Sequence, residues 1–233
     1  MPYSSVVSKS KFKIALFIAL LFYISGAIGI LFTPYKQWFI SATPFLLLLI
    51  AALLIITHPE KNSSFFIFLL LVFVAGMASE MLGVNTGLLF GNYTYGIIFG
   101  KKINGVPLII GVNWFIIIYC AGTITSKIEN WILNKMSDEM QISTALQFFS
   151  FIIDGALLIT FFDWVMEPVA QRLGFWKWIP NEQIPFYNYM CWFFISALLL
   201  IAFRQIKVYK HNPFAVHLFI IQLLFFLILR TFL

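Results

Sequence analysis

The sequence predicts an all-α, polytopic membrane bundle of about seven transmembrane helices. Three observations carry this. The chain is 61% hydrophobic and only 10% charged, where a soluble domain carries about 25% charge. Its mean hydropathy is +0.94. Its apolar residues also fall into runs of the length a bilayer core requires, roughly 17–25 residues per helix.

The runs cover residues 14–32, 38–57, 65–84, 107–126, 142–164, 185–206 and 213–229. The first follows Lys9, Lys11 and Lys13, as a signal peptide would. Its apolar stretch is longer than a signal h-region and no small-residue cleavage site follows, so it reads as a retained span. Pro107, Pro185 and Pro213 each open a run, where the missing N–H costs nothing. Residues 127–141 mix charges of both signs and read as a short amphipathic surface segment. The whole chain, 1–233, reads as one membrane-embedded domain. Its halves share a loose order of acid, aromatic loop, proline and helix-opening asparagine, without a convincing internal repeat.

Seven crossings place the two termini on opposite faces. Nine of the 15 Lys and Arg then lie on the N-terminal side: Lys9, Lys11, Lys13, Lys61, Lys127, Lys135, Arg204, Lys207 and Lys210. This predicts a multi-pass protein of the cell (cytoplasmic) membrane with a cytoplasmic N-terminus. The net charge of +6 thus reports topology before any acidic partner. Cys120 and Cys191 lie inside runs and read as small buried apolar residues. His58, His211 and His217 are scattered near run ends and read as structural. No zinc spacing, phosphate loop, Ser-His-Asp arrangement or nucleic-acid patch is present, so neither metal, cofactor nor nucleic acid is expected.

Three acids stand out. Glu80 lies near the end of the third run, and Asp163 and Glu167 at the end of the fifth. A charge against the bilayer core costs about 2.5–3.5 kcal/mol on insertion scales, so it ordinarily has a function or a partner. Asp163 and Glu167 are four residues apart and share one helix face, where two ionised carboxylates repel. Asn113 and Trp114 begin the fourth run, and Asn188 and Tyr189 the sixth. With seven helices, all of these fall on one membrane face. Asp154, nine residues before Asp163, is about half a turn out of phase on an ideal helix. It reads as an interhelical hydrogen-bonding group.

Around the acids lie two polar-aromatic blocks, residues 80–96 and 163–193. The first contains four glycines, with Asn92, Tyr93 and Tyr95, and suits either a re-entrant segment or an interfacial loop in the aromatic belt. The second carries Trp176, Trp178, Tyr187, Asn188 and Trp192. Its competing readings are membrane anchoring for Trp176 and Trp178, and a salt bridge from the acid pair to Arg172 or Lys177. For Glu80 the competing reading is a buried acid that caps or bridges helices.

These blocks resemble the carotenoid-biosynthesis membrane protein family that includes the CruF-type carotenoid 1,2-hydratases and the bisanhydrobacterioruberin hydratases. The resemblance rests on Glu80-x-x-Gly83-x-x-Thr86-Gly87, Phe90-Gly91-Asn92-Tyr93-x-Tyr95, and Gly105-Val106-Pro107 followed by Trp114. It continues in Asp163-x-x-x-Glu167-Pro168-x-Ala170, Gly174-Phe175-Trp176-x-Trp178, and Pro185-Phe186-Tyr187-Asn188-Tyr189 with Trp192-Phe193. The resemblance implies cofactor-independent addition of water across the terminal C=C of an acyclic carotenoid end group, giving a tertiary alcohol. Other carotenoid-pathway enzymes are then candidate partners, beside the bilayer and the lipophilic substrate.

The residues are compatible with that chemistry. Protonating C2 of a trisubstituted alkene leaves a tertiary cation at C1, which water then attacks. Asp163 or Glu167, together with Glu80, forms the candidate acid/base set, with the donor unassigned. Trp114, Trp164, Trp176, Tyr187 and Trp192 are candidates to face the cation, at about 0.5–2 kcal/mol each. Asn92, Asn113, Asn188 or the partner carboxylate could hold the water, with Tyr93 and Tyr95 completing the binding set. A long polyene dissolves in the bilayer, so the site should open laterally to lipid.

The rivals are a carotenoid or isoprenoid cyclase, which shares the protonation step, and a prenyltransferase-like enzyme holding Mg²⁺ on Asp163 and Glu167. A prenyltransferase would need a second acidic cluster, and Glu80 stands alone. A retinal photoreceptor needs a lysine in the last run, which has none. A transporter would need a fuller polar pathway than Gln147, Asp154 and Gln222 supply.

Overall fold

The computed structural model describes residues 9–136, 142–180 and 183–233. They form eight helices and two small two-stranded ladders. In chain order these are α1 (Lys9–Phe32), α2 (Lys36–Ser41), α3 (Thr43–Thr57), α4 (Ser63–Thr86), β1 (Tyr93–Tyr95), β2 (Lys102–Ile103) and β3 (Val106–Pro107). There follow α5 (Ile109–Lys135), α6 (Thr144–Arg172), β4 (Trp176–Trp178), α7 (Phe186–Gln205) and α8 (Pro213–Phe232).

Six helices, α1 and α4 to α8, are long and apolar enough to cross a bilayer. The second expected run differs: it breaks at Ala42 into α2 and α3, with a proline opening α3. Its α3 piece, at 15 residues, rises about 22 Å at 1.5 Å per residue. Side-chain contacts show that it still connects the two ends of the bundle. Thr43 lines a cavity with Ile110 and Asn113 at the start of α5, whereas His58, just beyond its far end, bonds Tyr119 and stacks on Phe65. Seven rods therefore alternate in direction, in a multi-pass integral membrane protein. α1 and α8 run parallel, with Phe12 against His217 and Tyr23 against Phe225.

α5 is the central helix, with a buried run from Trp114 to Thr123, while the other long helices show one face outward. Its last turns, 127–135, are the exposed stretch read as a separate surface segment; residues 137–141 of that segment lie outside the described residues. Asp154 does not bond between helices. It is exposed on α6 and makes no hydrogen bond among the described residues, because half a turn from the Asp163 face is the outer face of this helix.

α6 continues past Pro168. Proline lacks the N–H that would bond the carbonyl four residues back. That carbonyl, on Trp164, accepts instead from Arg230 of α8 at 2.7 Å, and the guanidinium lies 4.0 Å from the Trp164 ring centroid. The helix ends in a Schellman turn: Gly174 has φ +75°, Phe175 N–H bonds Ala170 O at 3.0 Å, and Gly174 N–H bonds Gln171 O at 2.9 Å. This turn sends the chain back as β4 over the end of α6.

Candidate functional site

The two polar-aromatic blocks pair with each other. β1 and β4 form an antiparallel ladder with Tyr93 opposite Trp178, Thr94 opposite Lys177 and Tyr95 opposite Trp176. Successive strand residues point to opposite faces. Tyr93, Tyr95, Trp176 and Trp178 therefore turn inward and are buried, while Thr94 and Lys177 are exposed. The first block is thus a strand-bearing cap over the end of the bundle, and Trp176 and Trp178 are not belt anchors.

The four ladder rings and Trp114 each reach an acid. Tyr95 Oη donates to Glu80 Oε2 at 2.7 Å, Tyr93 Oη donates to the same oxygen, and Trp114 Nε1 donates to Oε1 at 3.0 Å. Trp176 Nε1 and Trp178 Nε1 both donate to Glu167 Oε2, at 2.9 and 3.1 Å. Asp163 Oδ2 accepts from Asn188 Nδ2 at 2.9 Å. All three acids are buried, and none pairs with Arg172 or Lys177; the ion pair among the described residues is Arg204–Glu129. A hydrogen bond to a charged group is worth about 1.5–3 kcal/mol. Three such donors outweigh the insertion cost of one carboxylate. Burial and the neighbouring Glu80 push the phenols of Tyr93 and Tyr95 up from their ordinary value, so both remain donors.

Local sequence makes room for this convergence. Gly76, Glu80 and Gly83 lie on one face of α4 at one-turn spacing. A Cβ at Gly76 would fall 2.5 Å from the Trp114 ring, and one at Gly83 would fall 2.9 Å from Phe90 and 3.0 Å from Tyr93 Oη. The two glycines let Trp114 and Tyr93 close on Glu80 from either side. Trp114 stacks on Trp192 at 4.1 Å and 8°. Phe90, held at φ +62° with its N–H on Cys191 Sγ, tilts over both.

The groups enclose a cavity of about 20 Å³, room for a single water molecule. Its walls are Glu80, Glu167, Asn113, Asn188, the rings of Phe90, Tyr93, Tyr95, Trp114, Trp176, Trp178 and Trp192, and the side chains of Ile110 and Met166. Most residues expected from sequence meet here. Asp163 sits behind the wall, with Oδ1 unpartnered among the described residues. Asn92 does not line the cavity: its carbonyl accepts from Ile179 N–H and its side chain packs beside Gly87. Tyr187 is half exposed and donates to Leu88 O, and Trp164 lies outside under Arg230. The expected cation-facing roles for Tyr187 and Trp164 thus have no geometric basis, because both project from the outer faces of their helices.

Sequence reasoning did not select Trp178, Phe90, Ile110 or Met166. For Trp178 the signal was present, since Tyr-Thr-Tyr and Trp-Lys-Trp share the two-residue alternation of a half-buried strand. Among the described residues no group of three or more His, Cys, Asp or Glu is placed to hold a metal ion.

Fold and site together define a multi-pass helical membrane protein with a buried acid–aromatic pocket at one end. A sequence profile described as carotenoid biosynthesis protein matches residues 41–233. The chain belongs to that family. Neither the curated proteins nor the solved structures yield a match.

Proposed function

We propose that the protein hydrates the terminal C=C of an acyclic carotenoid end group, such as that of lycopene or γ-carotene. The supporting observation is the pocket itself: room for one water, walled by two carboxyl groups and aromatic rings. Glu167 has Oε2 held by two indoles, while Oε1 accepts no hydrogen bond among the described residues. In this reading it donates the proton to C2. Asp163, one turn earlier and behind the wall, favours the protonated form of Glu167, since both ionised would repel. All three groups around Glu80 are donors, the pattern suited to an acceptor-only carboxylate. Its charge, with the faces of Trp114, Trp176 and Trp192, stabilises the tertiary cation at C1. Water held by Asn113 or Asn188 attacks C1, and its surplus proton returns to the carboxylate set. Alkene plus water gives the tertiary alcohol with the acid regenerated.

The protein would act in a cytoplasmic membrane with its N-terminus in the cytoplasm, the side carrying most Lys and Arg. Expression in cells that accumulate lycopene or γ-carotene, followed by mass analysis of the pigment, tests the reading. A product heavier by one water is expected. A product of unchanged mass with a new ring would make the protein a cyclase, which shares the first step and not the second.

A further inference from the structure

We infer that the apolar chain of the substrate reaches the site through a cleft between α1 and the broken α2–α3 segment. This rests on the hydratase reading for the identity of the occupant, an acyclic polyene, and on cavity geometry for the route.

Three spaces lie in series. The polar pocket shares Ile110, Asn113, Met166 and Trp176 with a second chamber of about 70 Å³. That chamber is lined mainly by Ile, Leu and Phe side chains, and the polar pair on its wall, Tyr23 and Gln222, bond each other at 2.7 Å. The chamber in turn shares Gly26, Phe39, Thr43 and Leu46 with an outer cleft of about 550 Å³ bounded by α1, α2 and α3. An end group at the wall the two spaces share, with the single water of the pocket ahead of it, would place its polyene in the chamber and the rest in the cleft, among lipid tails.

The second crossing is split at Ala42, and α2 carries Phe39 across the cleft. The Phe39 ring lies on Gly29 so closely that a Cβ there would fall 2.2 Å from it. Gly26, one turn earlier, has only Phe225 at 3.6 Å from such a Cβ, so space begins where the ring ends. Phe39 thus stands between chamber and cleft. The other groove beside α1, of about 410 Å³ against α8, meets the chamber only at Tyr23 and Phe225. Those two rings close it edge to face at 5.2 Å.

The test compares two alkenes in proteoliposomes: lycopene, and a ten-carbon acyclic isoprenoid alcohol bearing the same dimethylvinyl end. Leu49→Trp, in the outer cleft and away from the chamber, should lower lycopene hydration at least tenfold and leave the short alkene within about twofold of wild type. Leu224→Trp, which fills the α8 groove, should leave both within twofold. Lycopene hydration by Leu49→Trp within twofold of wild type, or an equal loss in Leu224→Trp, overturns the route. Should Leu49→Trp not fold, a benzophenone amino acid replacing Phe45 should photocross-link lycopene saturably, and one replacing Leu224 should not; the reverse overturns the route. Wild-type protein that hydrates neither alkene, yet cross-links lycopene at position 45, would refute the hydratase reading and leave the route standing.

Discussion

Replacing Glu80 by glutamine separates the charge of this side chain from its bonding. Glu80 accepts from Trp114 on one oxygen and from Tyr93 and Tyr95 on the other. A glutamine can keep its carbonyl on the two phenol hydroxyls, and its amide N–H₂ then faces the indole N–H, donor to donor. Two hydrogen bonds survive and one buried donor is stranded, so Glu80→Gln should cost about 1–3 kcal/mol of stability. Glu80→Ala strands three buried donors at about 1–3 kcal/mol each. The charge is lost in both. A carboxylate about 4 Å from a developing cation, at an effective dielectric of about 20, contributes about 4 kcal/mol. Its removal should slow hydration about 10³-fold, at 1.36 kcal/mol per decade. The assay is the initial rate of hydrated lycopene formation in proteoliposomes, with Tm measured on the same preparations. A Glu80→Gln rate within about fivefold of wild type would refute the use of the charge. A Gln variant as unstable as the Ala variant would refute the bonding account.

Two further outcomes follow from neighbouring contacts. Trp178→Phe removes one of two indole donors from Glu167, a loss of about 1.5–3 kcal/mol; it should lower the hydration rate about 10–100-fold at constant expression, and an unchanged rate would show that the donor does not position the acid. At the opposite end of the bundle, burial and then Lys61 hold the His58 imidazole down at about 4, below its ordinary 6.5. Between those values the unfolded chain binds more protons than the folded one, so stability falls as pH drops from about 6.5 towards 4. Thermal melts across that range should show this fall, flattened in His58→Leu; a slope unchanged by the substitution would assign it to other groups.

Much of the fold and part of the site were legible in the residues. Apolar run lengths marked the long helices, because a bilayer sets one length for all of them. Alternation of crossings put Glu80, Asn113, Asp163 and Asn188 on one face, and the structure brings them together. Asp154 went astray because the helix phase gave its direction away from Asp163 and could not say whether another helix stood there. Asn92 and Tyr187 lie away from the cavity, and a polar aromatic block reads the same whether a side chain points in or out. The split at Ala42 was hidden inside a continuous apolar run, since Pro44 suits the start of a helix as well as its interruption.

By itself, the sequence determined that this chain is a multi-pass helical membrane protein, that its acids lie at one end, and which family signature it carries. Those properties depend on hydropathy and order along the chain. Only the tertiary structure decided which donor serves which acid. The ladder between Tyr93–Tyr95 and Trp176–Trp178 joins segments some 80 residues apart, and its register aims two phenols and two indoles at different carboxylates. Register between distant strands is set by what both must pack against, here the ends of α4 and α6, and no local pattern encodes that.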